Sequence, residues 1–545
     1  MVKDYPNDVP SVPGPTPPRD RGRWLEWLLL AVAGAGVSAA ATSFLMAHFL
    51  FPGEAPRPRP APKGAAASPS ALFRDWPADV SPDVVLVISG EQHGYLQPCG
   101  CSKPQLGGLP RRWVFVQELK KRGWPVVAVD LGDIPDEPKR RGPQAMLKYV
   151  TSMEALRRIG YAGVGVGLFE MQMPLQDALA NYALNNPTPR MLAANLKDRA
   201  VTFFDAVGSS HVAEAGPGLR VGIVSTMGPS TTAKVKDPQA QFESNAQVLP
   251  PIVKQLQDNK AELLVLLYHG TLEEAKACAA KFPQFQVIVT PSRESEPPSV
   301  PDKFGSSLII TVGHKGRYVG VVGAFRNKTK GGFDLHYQLA PLGENLETPP
   351  DKADSNPIMV LMEEYARQVK DMNMLSRYPK TKHPIQVQFP EAEYVGSEAC
   401  KSCHRESYKV WENSAHSHAY QTLVDATHPS LRQYDGECIV CHVVGFEYLT
   451  GFRDEKTTPD LINVGCENCH GPGSVHLADK NNKQIHDLMN PFRPPPGEDP
   501  TSPEAKRRLL HIDQSCQKCH DIDNDVHWNF EKKWPKVVHR EKKKG

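Results

Sequence analysis

The chain has 545 residues, enough for about three domains of the usual ~150 residues each. Lys and Arg number 63 against 61 Asp and Glu, and this near balance argues against a nucleic-acid-binding protein, which needs a strongly basic face. Hydrophobic residues make up 40% of the chain, enough to bury a core, and the 51 prolines predict extended linkers.

The N-terminal region combines a polar tail with one long apolar run. Residues 1–23 are polar, whereas residues 24–51 contain a single acidic residue and no Lys or Arg. This run is long enough to span a bilayer, and Trp24 and Trp27 stand where interfacial aromatic residues are expected. The sequence therefore predicts a cytoplasmic tail followed by a transmembrane anchor. The alternative is a secretory signal cleaved after Ala39.

Residues 52–82 have a proline at every second position from 56 to 62 and are predicted to form an extended linker. From residue 83 to 345, short apolar runs alternate with helix-like stretches, a pattern typical of an α/β layered fold. The predicted strands are Val84–Ser89, Val126–Asp130, Ala162–Val166, Met191–Asn195, Val221–Ser225, Leu263–Tyr268, Val287–Thr290 and Leu308–Val312.

Polar residues follow three of these strands, where open α/β sheets place their ligands. Glu91 and His93 follow the first strand, Asp133 follows the second, and His269 follows the sixth. The order of these motifs resembles the calcineurin-like metallophosphoesterases, particularly their 5'-nucleotidase branch. The resemblance implies a metal site for which Glu91, His93, Asp133 and His269 are the remaining candidate ligands.

Two other metal-binding motifs of that family are replaced in this sequence. Residues 165–170 stand where the family has Gly-Asn-His-Asp/Glu, and residues 290–293 stand where it has Gly-His-x-His. A two-metal hydrolase needs ligands for both ions, so a single divalent metal is the most that the remaining residues could hold. We expect a non-catalytic scaffold or docking domain, with a redox-linked phosphoesterase as the alternative.

Three cysteines lie in this region. Cys99 and Cys101 flank a glycine just after the degenerate metal motif, and Cys278 lies far from them in sequence. The pair could bind a metal, act as a redox-active dithiol, or form a structural bridge involving Cys278. Residues 346–392 are predicted to be a connector that contains a helix over Ile358–Met372.

The remaining eight cysteines lie in four copies of C-x-x-C-H within residues 393–545. This pattern is typical of c-type haem, in which two thiols form thioethers and the adjacent histidine binds the iron. Zinc ribbons do not require the following histidine, so four such histidines would be a coincidence. The predicted haem-binding residues are Cys400, Cys403 and His404; Cys438, Cys441 and His442; Cys466, Cys469 and His470; and Cys516, Cys519 and His520.

The sixth ligand of each iron decides whether a haem only transfers electrons or also binds a substrate. His416 follows a predicted helix after the first motif, and His476 follows a Gly-rich turn after the third. His539 closes the segment that follows the fourth motif. The other candidate histidines are His418, His428, His486, His511 and His527.

Several stretches of this region resemble the cytochrome c-554/c-prime tetrahaem family, and the resemblance covers residues 393–545. It implies irons that are mostly bound by two histidines, with His416, His476 and His539 as distal ligands; His418 and His428 are secondary candidates from their position in the sequence. It also implies that one haem lacks a strong sixth ligand. We expect this haem at the second motif, because no histidine follows it before the third. The matching stretches are Trp411–His416, Cys466–His476, Cys519–Asp521, Trp534–Lys536 and His539.

Together these patterns predict an α/β metallophosphoesterase-like sandwich joined to a mostly α-helical, haem-packed domain, with one N-terminal transmembrane helix. Haem is attached to bacterial c-type cytochromes outside the cytoplasmic membrane, so the bulk of the chain is expected in the periplasm, tethered to the inner membrane. The predicted function is electron relay between redox partner proteins. The alternative is a redox enzyme that acts on a small nitrogen compound at a five-coordinate haem.

Overall fold

A computed structural model describes residues 72–138, 142–173, 188–198, 207–216, 218–490 and 493–539. All of them belong to one compact unit, Arg59–Gly545. The predicted cytoplasmic tail, the transmembrane anchor and most of the linker lie outside the described residues. In the described part of the chain, no helix is both long enough and apolar enough to cross a membrane.

The N-terminal half is built on two β-sheets and a small two-stranded ribbon. The strands, in chain order, are β1 Val84–Ser89, β2 Val126–Asp130, β3 Tyr161–Gly165, β4 Arg190–Leu192, β5 Leu196–Asp198, β6 Val207–Gly208, β7 Ser210–Glu214, β8 Arg220–Met227, β9 Ala240–Phe242, β10 Leu263–His269, β11 Val287–Pro291, β12 Asp302–Phe304, β13 Ser307–Val312, β14 Tyr318–Arg326 and β15 Phe333–Pro341. The first sheet has the order β15-β14-β1-β2-β3-β4-β6, the second has the order β12-β13-β11-β10-β8-β7, and β5 pairs with β9.

The two sheets stack face to face and are covered by helices on their outer faces. Alternate residues of β1, such as Leu86, pack against β8 and β10 of the second sheet in a continuous apolar layer. The other face of the first sheet packs against helices Leu109–Lys121, Ala145–Ile159 and Pro357–Asp371. The outer face of the second sheet is covered by helices Asn245–Asp258 and Leu272–Lys281. This arrangement confirms the predicted α/β layered architecture.

All eight strands expected from the sequence are present, because each is an apolar run buried on both faces. The parallel pairs β1–β2 and β2–β3 bring the carboxyl ends of these strands to one edge of the first sheet. The sequence missed the two long antiparallel strands β14 and β15. The apolar run of β14 is interrupted by Gly320 and Gly323, and the side chains of β15 are mostly half-buried rather than continuously apolar. It also missed the short strands β5, β6, β7, β9 and β12.

The end of the predicted linker and the helix of the predicted connector both pack against the sheets of the N-terminal half. Phe73 and Trp76 are buried beside Trp124, and their rings contact one another. The helix predicted in the connector extends over Pro357–Asp371, and its apolar face joins the core of the first sheet. These segments are therefore part of the folded unit.

The C-terminal half consists of short helices around two small apolar clusters. One cluster includes Tyr394, Ile439 and Phe452, and the other is centred on Ile385 and Ile485. The mostly helical character agrees with the prediction. The helices are Pro384–Gln388, Glu398–Lys401, Arg405–Glu412, Ala419–Val424, Gly436–Ile439, Glu467–His470, Ser474–Ala478, Lys483–Met489, Pro503–Cys516 and Phe530–Lys533.

Candidate functional site

Each C-x-x-C-H motif lies on a helical turn that brings its first cysteine and its histidine to the same side. The backbone N–H of His404 donates to the carbonyl of Cys400 at 2.9 Å. The equivalent hydrogen bonds of the third and fourth motifs are 3.1 and 3.0 Å long. In the second motif the N–H of His442 donates instead to Ile439, three residues back, at 2.8 Å.

Three of the four motif histidines face a second histidine from elsewhere in the chain. The ring centres of His404 and His476 are 6.0 Å apart, and those of His470 and His539 are 5.9 Å apart. His520 faces His416, with ring centres at 6.1 Å. The structure thus brings all three distal candidates of the sequence analysis opposite motif histidines.

These separations fit an iron held between two imidazoles. Two rings bound to opposite sides of one metal, each through a bond of about 2 Å, have their centres about 6 Å apart. The Nδ1 atom of His476 is buried without a hydrogen-bond partner in the described part of the chain, as expected for a side chain that awaits a further group. The side chains of these three pairs therefore suit bis-histidine haem binding.

Hydrogen bonds at Nδ1 orient three of the motif histidines. His470 bonds the carbonyl of Met489 at 2.7 Å, and His520 bonds a carboxylate oxygen of Asp525 at 3.0 Å. His442 bonds the carbonyl of Ala419 at 2.6 Å. Such bonds fix the ring orientation and leave Nε2 as the ligand atom, which is the usual arrangement around metal-binding histidines.

The second motif differs from the others. Among the described residues, no other histidine ring lies opposite His442, although its Nδ1 is bonded like those of the other motifs. Of the secondary candidates, His418 is exposed and immediately precedes Ala419, whose carbonyl is bonded to His442, and His428 lies 3.7 Å from Glu363. His486 packs beside His476, with ring centres 4.8 Å apart.

The motifs are arranged in two close pairs. The thiol of Cys400 in the first motif contacts that of Cys466 in the third. In the same way, Cys441 of the second motif contacts Cys519 of the fourth. Groups attached to these cysteines would lie next to each other within each pair.

The four residues predicted to form the remnant metal site do not converge on one point. The carboxylate of Glu91 accepts backbone N–H bonds from Ser292 and Arg293, both at 3.1 Å. Burial is the main cause that raises its pKa to about 7, and the backbone hydrogen bond from Arg293 partly offsets this. Ser292 and Arg293 belong to the segment that replaces the Gly-His-x-His motif.

Asp133 and His269 form a separate pair. The Nδ1 atom of His269 lies 3.9 Å from a carboxylate oxygen of Asp133. The other carboxylate oxygen of Asp133 accepts the N–H of Phe169 at 2.7 Å, and Nε2 of His269 contacts the carbonyl of Leu131 at 2.5 Å. Both side chains are thus engaged by the surrounding chain.

His93 instead lies near Glu137 and His314, and one ligand atom from each of these three side chains falls within 4.8 Å of the others. The ring of His93 is 4.7 Å from that of His314, and its Nδ1 is 3.9 Å from the Glu137 carboxylate. Glu137, which follows the strand-end Asp133 on the same loop, was not among the ligands predicted from the sequence. His314 was not among them either, because it belongs to no ligand motif of the resembling family.

The two halves meet along this edge of the first sheet, and the second and fourth motifs lie at the contact. Lys148, buried in the N-terminal half, binds Glu437 at 2.8 Å and Asp136 at 3.0 Å. Gln144 donates to the carboxylate of Asp435 at 3.0 Å. Asp435 and Glu437 immediately precede Cys438, so these bonds dock the second motif.

Asp523, three residues after the fourth motif, forms the other docking point. Its two carboxylate oxygens bind Lys315 and Arg317. Burial opposes ionisation of Asp523, but the two cations outweigh it and lower the pKa of the carboxyl group. An ionised Asp523 therefore holds the C-terminal half against the loop that follows β13.

Residues 399–471 match the family model described as cytochrome c554 and c-prime. Cytochrome c-554 of Nitrosomonas europaea is 29% identical over 141 residues, which are 24% of this chain and 58% of that protein. The C-terminal region is similar to cytochrome c-554. This similarity agrees with the interpretation of the C-x-x-C-H motifs as sites of covalent c-type haem attachment.

The middle region resembles 5'-nucleotidases. The 5'-nucleotidase of Diplobatis ommata is 25% identical over 196 residues, which are 35% of this chain and 33% of that protein. A 5'-nucleotidase precursor from Thermus thermophilus matches over 53% of this chain and 59% of its own, with 18% identity and a TM-score of 0.44. The calcineurin-like phosphoesterase YfkN from Bacillus subtilis matches over 52% and 97%, with 13% identity and a TM-score of 0.42. The chain thus spans just over half of the cytochrome and a third of the curated nucleotidase.

Proposed function

We propose that this protein is an exported, membrane-tethered tetrahaem cytochrome that relays electrons between redox partner proteins. The observation that supports it best is the set of three facing histidine pairs, with ring centres 5.9 to 6.1 Å apart. A haem at each motif would supply one-electron redox chemistry. The motif cysteines would fix each group covalently, and the facing histidines would bind its iron.

The paired arrangement of motifs supports the relay. Cysteine contacts join the first motif to the third and the second to the fourth, so each pair would hold its groups next to each other. His416, which faces His520, lies on the segment between the first and second motifs and links the two pairs structurally. Close packing of this kind favours electron exchange along the whole set.

The number and ligation of haems test this proposal directly. A pyridine haemochrome assay on the purified protein is expected to give four haems per chain, and low-temperature electron paramagnetic resonance is expected to show mainly low-spin, bis-histidine signals. One haem or none would exclude a relay.

The proposed location rests on the sequence of residues 24–51 and on the compartment in which c-type haem is attached. We expect the protein in the membrane fraction, resistant to extraction at high salt and alkaline pH. Removal of residues 1–51 and replacement by a cleavable export signal should release a coloured, soluble protein into the periplasm. A full-length protein that washes off the membrane would contradict the anchor.

The surroundings of His442 favour a second function, a redox reaction of a small nitrogen compound at the second haem. His442 has an oriented Nδ1 but no opposing histidine ring in the described part of the chain. An iron bound there on one side only would have an open position. We expect a high-spin signal that changes when nitric oxide is added, and entirely low-spin spectra would exclude this function.

We also propose that any divalent ion in the middle domain binds at His93 together with Glu137 and His314, rather than with Glu91, Asp133 and His269, the other three residues inferred from the sequence. Two histidines and a carboxylate with close ligand atoms are a donor set suited to a zinc-like ion. Equilibrium dialysis with Zn²⁺ should give one equivalent that His314→Ala abolishes and Glu91→Gln retains. Binding lost in Glu91→Gln but kept in His314→Ala would contradict the assignment.

A further inference from the structure

The loop that contains Cys99 and Cys101 is clamped between the two halves of the molecule. The Arg432 guanidinium, six residues before the second motif, donates to the carbonyl of Cys99. Ser102 donates to the carbonyl of Asn524 at 3.1 Å and accepts the N–H of Val526 at 3.0 Å, both just after the fourth motif. The loop therefore touches the segments that flank both motifs of one pair.

Within the loop, the two sulfurs are close together and Cys99 is set up as a thiolate. Its sulfur accepts the N–H of Cys101 at 3.1 Å and the side-chain amide of Gln105 at 3.4 Å. The hydrogen bond from the Cys101 thiol is the largest cause that lowers the pKa of Cys99 to about 6, with smaller contributions from Gln105 and Arg432. Gly100 has a φ of 72°, a conformation that glycine adopts without strain, and it lets the loop turn back on itself.

The dithiol lies next to the second motif. Cys99 is close enough to Cys438 to raise the pKa of the Cys438 thiol, and Cys101 is close enough to Cys441 to raise the pKa of that thiol. Cys438 in turn raises the pKa of Cys101. Cys101 is exposed to solvent, whereas Cys99 is half-buried. A group attached to the second motif would therefore have a dithiol beside it, with one sulfur open to solvent.

We propose that Cys99 and Cys101 form a dithiol/disulfide couple that exchanges electrons with the haem of the second motif. This inference rests on the proposed function, since it needs haem at that motif. On oxidation, a sulfur–sulfur bond forms between the Cys99 thiolate and the Cys101 thiol, and the Cys101 proton leaves to solvent. The two electrons reduce two ferric haems, those of the second and fourth motifs, and reduction of the disulfide reverses each step.

The structure argues against the two other roles considered for these cysteines. Cys278 lies on helix Leu272–Lys281, in the core of the outer face of the second sheet, and all three thiols are free. A metal site is also disfavoured, since among the described residues the group of close ligand atoms is His93, Glu137 and His314, without either thiol. The contacts therefore favour a redox couple.

Thiol reactivity provides the first test, because Cys99, Cys101 and Cys278 are the thiols that remain once haems are attached. Burial raises the pKa of Cys278 to about 12, so this residue is an internal control within the same sample. Iodoacetamide labelling of reduced holoprotein at pH 7, followed by mass spectrometry, should modify Cys99 at least about tenfold faster than Cys278. Equal rates would contradict an activated Cys99.

Electron exchange provides the decisive test. Two anaerobic samples are prepared, one with the dithiol reduced and the haems ferric, the other with the disulfide formed by diamide and the haems ferrous. We expect one of them to relax spontaneously, with about two haem electrons transferred per disulfide formed or broken. Haem absorbance and alkylation of the Cys99–Cys101 peptide are followed together.

Cys99→Ser and Cys101→Ser should abolish this exchange, and Cys278→Ser should leave it unchanged. Exchange in neither direction, or exchange that persists in Cys99→Ser, would overturn the inference, and the labelling test remains if a serine variant fails to fold. Haem content is measured on each sample. Four haems without exchange would overturn only the dithiol couple, whereas missing haems would overturn the proposed cytochrome function.

Discussion

At the scale of single residues, the facing histidines are the most direct points to test. His476→Ala removes the ring opposite His404, so the iron bound there should lose one axial ligand and become high-spin. Electron paramagnetic resonance should show one low-spin signal replaced by a high-spin one while haem content stays constant.

The matched control for this substitution is His511→Ala, since His511 is an exposed histidine of helix Pro503–Cys516. This variant should keep the wild-type spectrum. A His476→Ala protein with an unchanged low-spin spectrum would show that His476 is not an axial ligand.

Glu91 makes a pH-dependent contribution to stability whose sign follows from its pKa. Burial raises the pKa in the folded protein from 4.5 to about 7, so the folded state binds the proton more tightly than the unfolded state. This contribution is fully present below pH 4.5 and is lost as the pH rises through 7, at a cost of about 3 kcal/mol. The free energy of unfolding of Glu91→Gln, measured by denaturant titration from pH 4.5 to 8, should lack this decrease.

Glu273→Gln serves as the control for that series, because the Glu273 side chain is 83% exposed. Its profile should follow that of the wild type. Parallel profiles for the wild type and Glu91→Gln would contradict the role of Glu91.

Site residues that lie close together in the sequence were predicted better than residues that are distant in the sequence and come together only in the folded chain. The motif cysteines and histidines follow from a fixed spacing on one helical turn, whereas His314 reaches His93 only because β1 and β13 end at the same region of the molecule. Glu91 was placed among metal ligands because it follows a strand. Its partners Ser292 and Arg293 lie about 200 positions later and could not be inferred from spacing.

At the scale of elements, the short helix Glu467–His470 depends on one carboxylate. Glu467 accepts the N–H groups of Val395 at 3.1 Å, Gly396 at 2.8 Å and Gly473 at 2.7 Å, and so ties the segment before the first motif to the third motif. Glu467→Ala leaves three backbone donors unpaired, two of them buried, and should lower the free energy of unfolding by about 3–5 kcal/mol. Urea titration followed by haem absorbance measures the loss.

Glu467→Gln keeps an acceptor oxygen in nearly the same place and should recover part of that stability. Glu504→Ala is the control, since Glu504 is an exposed residue in the first turn of helix Pro503–Cys516. Equal stability of Glu467→Ala and the control would show that the carboxylate does not hold these segments together.

The sequence predicted best those elements whose bounds depend on their own residues rather than on contacts with other segments. The strand predicted at Val126–Asp130 has the predicted bounds, because its residues form an uninterrupted apolar run in the centre of a sheet. The C-terminal helices are mostly shorter than three turns and contain few buried apolar residues, so periodicity carries little information there. Their positions depend on the cysteine motifs and on docking to the other half.

At the scale of the whole molecule, the contact between halves depends on buried charges. Asp523→Ala would leave Lys315 and Arg317 without their shared carboxylate in a mostly buried contact, at a cost of about 3–5 kcal/mol. We expect the halves to unfold in two separate thermal transitions, one seen by haem absorbance and one by circular dichroism of the sheets. The wild type should unfold with the two probes coincident.

Asp302→Ala is a suitable control, because Asp302 pairs with the partly exposed Lys276 and both residues belong to the N-terminal half. It should preserve the coincident transitions. If Asp523→Ala also unfolds in one step, other contacts such as that of Lys148 with Glu437 suffice to couple the halves.

The docked position of the second motif also constrains the order of biogenesis. Asp435 and Glu437, beside Cys438, are held by Gln144 and Lys148 in the finished molecule, which leaves an attachment enzyme little access to this stretch. The N-terminal half emerges first during synthesis and can fold before the C-terminal half arrives. A haem attached at the second motif would then have to be added while the later half is still undocked, and closure of the two halves would be the last step of assembly.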